Sequence, residues 1–210
     1  MAASICLNIM HNFDILDLPE AIKASMIKDG VWNQSCPISL ERLKLLKISH
    51  YDFAGDIKEG QMVVLDKLAL NIIEIFKELL NIKFPIDKMN LMDKYQGSDE
   101  LSMEDNNSSC FNHRLIADSK VLSMHSLGLA IDINPVQNPY IVINKQEKTL
   151  QVLPKMGVHF LNRNNQRPGM VEPIVGIFKK YGYDVWGGNW DSPIDYHHFQ
   201  VNRNKIDSYI

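Results

Sequence analysis

Two stretches far apart in this chain carry the residues of one site, and a fold that brings them together is the strongest demand the sequence makes. Residues 123–134 read SMHSLGLAIDIN and residues 195–200 read DYHHFQ. The first stretch sets Ser123, His125 and Asp132 among small and apolar residues, the surroundings of a partly buried site rather than a loop tip. The second sets Asp195 ahead of His197 and His198, where a run of Trp, Gly and Asn gives way to strand-like residues. Histidines and carboxylates in apolar surroundings are what a catalytic zinc site needs: three protein ligands, an open position for water and a general base nearby.

Periodicity refines this picture without closing it. Leu127, Leu129, Ile131 and Ile133 alternate with small or polar residues, which predicts a strand over 128–133 with Gly128, Ala130 and Asp132 on one face. The small residues leave room there for a metal and a peptide to approach the backbone. Taken alone, one His and one Asp favour a blander reading, in which His125 is a buried, hydrogen-bonded histidine and Asp132 a turn residue before Asn134-Pro135. Adjacent strand residues point to opposite faces, so only one of His197 and His198 can face a metal. Strict alternation from Asp195 selects His197, whereas His198 requires a turn or bulge, and the pattern leaves both open.

The rest of the chain reads as scaffold. A chain of 210 residues with 45% hydrophobic content is long enough for one sizeable core. Residues 1–35 are weakly patterned, with a helix-like stretch at 19–29 ending at Gly30, and are expected to be an N-terminal extension packed on a domain spanning 36–210. Residues 40–53 turn strand-like, and DIKEG at 56–60 followed by QMVVL at 61–65 suggests a turn and a second strand of a hairpin. Asp66 is expected to cap a helix over 66–80 that buries Leu68, Ile72, Ile75, Phe76, Leu79 and Leu80. Residues 82–95 alternate as a strand with Pro85 at its start or at an edge. A short acidic helix is expected within 97–109, strand-like residues at 110–114, a ribbon or long loop after Pro135, a polar connector over 162–169 and a second amphipathic helix over 171–181. His159, ahead of the connector, reads as a packing or surface residue. Arg114 falls close to the first site stretch, where it is either a surface ion pair or the guanidinium fork that holds a substrate carboxylate.

Several classes of function are disfavoured. A net charge of -3 with scattered Lys and Arg gives no basic stripe for nucleic acid. No apolar run approaches the roughly 20 residues that span a bilayer. Residues 1–10 lack the basic start and long apolar centre of a secretory signal. Cys6, Cys36 and Cys110 have no metal-like spacing and leave room for one disulfide at most.

The stretches NNSSCFNHR, SMHSLGLAIDINPVQNPY, RPGM and WGGNWDSPIDYHHFQ resemble the zinc peptidases of the D-alanyl-D-alanine carboxypeptidase and L-alanyl-D-glutamate peptidase family, which act on the peptide stems of bacterial peptidoglycan. The family's pattern is similar to SxHxxGxAxD followed by DxxHF. It is matched here by Ser123, His125, Gly128, Ala130 and Asp132, then by Asp195, His198 and Phe199. The resemblance runs from about Cys36 to Val201. It implies that His125, Asp132 and His198 bind Zn2+, that Asp195 is the catalytic base, and that Arg114 and Ser123 contact substrate. It also implies an α+β fold of the hedgehog/DD-peptidase kind, with an antiparallel sheet carrying the zinc site and helices packed on one side.

Three positions depart from the resembled pattern: His113 stands where relatives usually have Cys, His197 where they have Gln, and Asn189 where they have Asp. None removes a ligand or the base, and the two extra imidazoles are expected to tune substrate binding or proton balance. The implied activity is hydrolysis of a stem-peptide bond, either removal of terminal D-Ala or cleavage between L-Ala and D-Glu, in an extracytoplasmic workplace set by that substrate. The alternative is an inactive zinc-containing binding module of the same fold, as in the hedgehog signalling domain. Asp195 argues against it, because a binding module has no use for a base.

Overall fold

The computed structural model describes residues 11–117, 119–144 and 146–210; Cys6 lies outside them. The first strand, β1 (Phe13–Asp17), leads through Pro19 into helix α1 (Glu20–Lys28). The chain leaves that helix at Gly30 with φ +75, a left-handed conformation that glycine adopts without a steric penalty. Strands β2 (Leu43–Tyr51) and β3 (Ile57–Leu65) form a long antiparallel hairpin, and β1 pairs with the other edge of β2. The hairpin turn differs from the expectation. Residues 56–60 belong almost wholly to β3, and the reversal occurs over 52–56, where the Asp52 carboxylate accepts the amides of Ala54 and Asp56, each at 2.9 Å. An Asp that can fold back on the backbone this way marks a turn more strongly than the Gly that ends DIKEG.

Helix α2 (Ala69–Asn81) packs on β1 and β2 and buries Ile72, Ile73, Ile75, Phe76 and Leu79. Each such side chain stabilises the fold by about 1.5–3 kcal/mol relative to exposure. Leu80 is only half-buried, and Ile73 takes the place expected for it. Asp66 does not cap the helix. It opens a 3-10 turn, Asp66–Leu68, and its carboxylate is gripped by the Arg42 guanidinium at 2.7 and 2.9 Å.

Residues 82–95 form no regular strand. Isolated bridges tie Tyr51 to Pro85 and Lys88 to Asn107, and a 3-10 turn follows at Met92–Tyr95. Helix α3 (Asp99–Glu104) opens on Ser98, whose Oγ accepts the Leu101 amide at 3.2 Å. Residues 110–114 are extended but unpaired as a strand, with single backbone bonds from Phe111, Asn112 and His113 to Val63, His125 and Val31.

Two further small sheets carry the site. Strand β4 (Ala130–Asp132) follows a 3-10 turn over Met124–Leu127. Strands β5 (Tyr140–Asn144) and β6 (Thr149–Leu153) are the expected ribbon. Helix α4 (Val175–Lys180) precedes β7 (Val185–Trp186), β8 (Ile194–Asp195) and β9 (His198–Gln200). Among the described residues the sheets run β1-β2-β3, β4-β9-β7 and β6-β5-β8, all antiparallel within each sheet. The chain is therefore a mixture of helix and antiparallel sheet, as expected. The expected single site-bearing sheet is instead divided in two, because β8 and β9 pair with different partners.

Alternation along β9 links site and core. Phe199 points inward and stacks on Phe178 of α4 with ring centroids 3.9 Å apart, so its neighbours His198 and Gln200 face the other way. Cys36 and Cys110 are both free thiols. No described helix is long and apolar enough to cross a membrane.

Candidate metal centre and cleft

Antiparallel pairing places Asp132 of β4 directly opposite His198 of β9. His125 reaches the same point from the 3-10 turn that Ser123 caps, the Ser123 Oγ accepting the His125 amide at 3.3 Å. His125 Nε2 lies 3.1 Å from one Asp132 oxygen, His198 Nδ1 lies 3.0 Å from the other, and the two ring nitrogens are 3.2 Å apart. All three side chains are buried and could together hold a metal ion.

The outer hydrogen bonds decide what this cluster presents. His125 Nδ1 lies 2.6 Å from the Cys110 carbonyl oxygen, and His198 Nε2 lies 2.9 Å from Gln200 Oε1. Both partners accept, so in the neutral rings these outer nitrogens carry the protons and the inner nitrogens turn lone pairs toward the carboxylate. Three acceptors thus converge on one point, an arrangement that calls for a cation. When the rings are charged instead, the inner nitrogens donate: burial opposes the charge on Asp132, yet the charges of His125 and His197, with hydrogen bonds from His125 and His198, hold its carboxyl well below the ordinary range. Burial likewise opposes protonation of His198, and the bond to Asp132 with the charges of Asp132 and Asp195 overrides it, raising the pKa to about 9.

The break between sheets brings His198, and not His197, into the His–Asp–His cluster, although His197 Nε2 also stands 3.9 Å from an Asp132 oxygen. Asp195 ends β8 and His198 begins β9, so strict alternation does not carry across Tyr196–His197. His198 joins the cluster. His197 instead sets Nδ1 2.8 Å from the Asn138 carbonyl oxygen and Nε2 3.0 Å from Asp195 Oδ1. Asn138 is itself pinned, its amide donating to the Gly169 carbonyl at 2.8 Å and its side-chain oxygen accepting the Val171 amide at 3.0 Å.

An open cavity of about 400 Å³ lies over the cluster, lined by His125, Asp132, Asp195, His197 and His198 together with Arg114 and Ser123. The burial of Asp195 raises its proton affinity, while His197 and His198 pull it down and Asp132 and Asp99 add to the rise. Arg114 pairs with Asp99 of α3 at 2.8 Å.

Other expected roles shift. His113 does not line the cavity; its Nε2 lies 3.1 Å from Ser35 Oγ on the outer side of the molecule. Gly128 does not open space for a ligand. It has φ +65, and a Cβ there would stand 2.7 Å from the Leu65 backbone nitrogen, so its smallness serves packing against β3. His159 is exposed, and Arg163 is committed to Glu172 at 2.6 and 2.7 Å. Sequence reasoning passed over Gln200, Asp99 and Arg203. Gln200 carried a signal, since period two from His198 puts it on the same face, whereas nothing local marks Asp99 or Arg203.

The comparisons with known proteins bear on the same segment. Residues 117–201 match the family model described as D-alanyl-D-alanine carboxypeptidase, a span that includes Ser123, His125, Asp132, Asp195 and His198. No curated protein and no solved structure matches the chain. Residues 117–201, which carry the whole of the His–Asp–His cluster, are thus similar to the D-alanyl-D-alanine carboxypeptidase family of peptidases.

Proposed function

We propose that the protein is a zinc-dependent peptidase that hydrolyses a bond in the stem peptide of peptidoglycan, working outside the cytoplasm where that substrate lies. The proposal includes a hedgehog/DD-peptidase-like fold for residues 36–210, with residues 1–35 adding β1 and α1 to it. The observation that supports it best is the convergence of His125 Nε2, His198 Nδ1 and the Asp132 carboxylate, with both imidazole protons directed outward. Two nitrogens and an oxygen beneath an open cavity are a donor set that suits zinc and leaves a side free for substrate. Bound there, zinc would supply Lewis acidity, acidifying water and polarising the scissile carbonyl.

The remaining steps belong to the chain. Asp195, buried and raised in proton affinity, takes a proton from the attacking water and returns it to the leaving amine. His125 and His198 stay in their outward-donating tautomers through Cys110 and Gln200. Arg114 and Ser123 line the approach and orient the peptide, which lowers the entropy demand of the attack.

Metal content and turnover measured together on two variants test this division of labour. Asp195→Ala is expected to keep the metal and lose activity by about 10²–10⁴-fold, the usual contribution of a general base. His125→Ala is expected to lose both. Vigorous hydrolysis by Asp195→Ala would remove that residue as the base.

A further inference from the structure

Both arginines of the cavity, Arg114 and Arg203, lie outside the segment that matches the family, one before it and one after it. Arg203 opens the C-terminal 3-10 stretch Arg203–Ser208, and its side chain lines the cavity. Asn202 caps that stretch, its side-chain oxygen accepting the Asn204 amide at 3.0 Å, which fixes where the Arg203 side chain leaves the backbone. One guanidinium nitrogen, Nη2, donates to the Leu122 carbonyl oxygen at 3.2 Å. The next residue, Ser123, donates its amide to the Arg114 carbonyl oxygen at 3.1 Å. Both arginines are thus fastened beside Ser123.

Their charges are in different states. Arg114 is already paired with Asp99, another cavity residue, at 2.8 Å. Arg203 makes no ion pair among the described residues and spends a single hydrogen bond on Leu122, leaving most of its five N–H donors uncommitted. The cavity wall also carries Asp99, Asp132 and Asp195. A substrate carboxylate entering it meets like charge at each of these, and at Arg114 it must share the guanidinium with Asp99. The uncommitted guanidinium offsets that repulsion best.

We propose that Arg203 is a specificity-determining residue that takes a free carboxylate of the substrate at the mouth of the cleft. This rests on the peptidase reading above and deepens it, since it names the group that substrates must carry. The carboxylate is either the C-terminal one or that of an acidic residue within the peptide, and both present the same bidentate acceptor.

The test uses the full-length, zinc-loaded protein with three peptides: a stem pentapeptide, the same peptide with a C-terminal amide, and the same peptide with its internal acidic carboxylate amidated. KM and calorimetric Kd are measured for the wild type, Arg203→Ala and Arg203→Lys, with melting temperatures alongside. The wild type is expected to prefer the free acid over one of the two amides, which identifies the carboxylate. In Arg203→Ala that preference is expected to fall about tenfold, the scale of a partly desolvated charge-assisted pair, and Arg203→Lys is expected to restore part of it. A preference untouched by Arg203→Ala overturns the proposal. So does an equal weakening toward all three peptides, or a lowered melting temperature alone, since a mere strut for the Leu122 carbonyl would give these. Arg203-dependent discrimination in binding without any cleavage would sustain this inference and sink the peptidase reading; no binding of any peptide would sink both.

Discussion

His197 Nε2 stands 3.0 Å from Asp195 Oδ1, yet the two are not aligned as a hydrogen bond, and that carboxylate oxygen remains buried without a hydrogen-bond partner among the described residues. On the far side of the ring Nδ1 lies 2.8 Å from the Asn138 carbonyl oxygen, which fixes how the imidazole is oriented. Asp195 therefore sits buried with an acceptor free, which suits a group that must pick up a proton.

A base works only when deprotonated, so activity falls as the pH drops through its pKa. Burial pushes the Asp195 pKa up, the His197 charge lowers it and the Asp99 charge raises it. His197→Gln is expected to move the acidic limb of the kcat/KM profile to higher pH, and Asp99→Asn to move it to lower pH. His113→Cys, which alters a residue outside the cavity, is expected to leave the limb in place. Limbs that coincide in the His197 and Asp99 variants would contradict the assignment of Asp195 as the base.

Metal and proton compete for His198. Its pKa of about 9 in the metal-free protein means that the ring is protonated below that pH, and a metal must displace the proton. Binding at pH 7 is expected to release about one proton, and apparent affinity to rise about tenfold per pH unit until it levels off near pH 9. Calorimetry in buffers of differing ionisation enthalpy counts the protons. A count of zero at pH 7 would show that the ion binds away from His198.

Gly128 is a packing position, and its replacement is expected to act on stability. A methyl group there would enter a left-handed backbone, φ +65, and press within 2.7 Å of the Leu65 nitrogen. Gly128→Ala is expected to destabilise the protein by about 2–4 kcal/mol, from backbone strain and overpacking together. Chemical denaturation measures this directly. A variant as stable as the wild type would mean that β3 and the 124–127 turn can separate without cost.

What the sequence made legible follows the range over which each feature is determined. The spacing of Ile72, Ile75, Phe76 and Leu79 is local, and α2 formed where it pointed. The pairing of SMHSLGLAID with DYHHFQ is long-range, but each half is itself a compact motif, so His125, Asp132, His198 and Asp195 could be named before any contact was visible. The choice of His198 over His197 came from the resemblance and was not legible in the alternation, because it depends on β8 and β9 joining different sheets. Residues 82–95 alternated like a strand, yet among the described residues they form bridges only at Pro85 and Lys88, because alternation reports which face is buried and not whether the backbone has a partner strand. Asp99 and Arg203 reach the cavity from opposite ends of the matched segment, and only the folded chain brings them to it.

The most direct test is mass analysis of the products formed when the zinc-loaded protein is incubated with a stem pentapeptide and with intact peptidoglycan, each beside a sample treated with chelator. Chelator-sensitive cleavage of a stem-peptide bond is the predicted result. Loss of a terminal alanine would mark a carboxypeptidase, and a new D-Glu amino terminus an endopeptidase. Stoichiometric zinc with no cleavage of either substrate would contradict the account and turn the site into one that binds without hydrolysing.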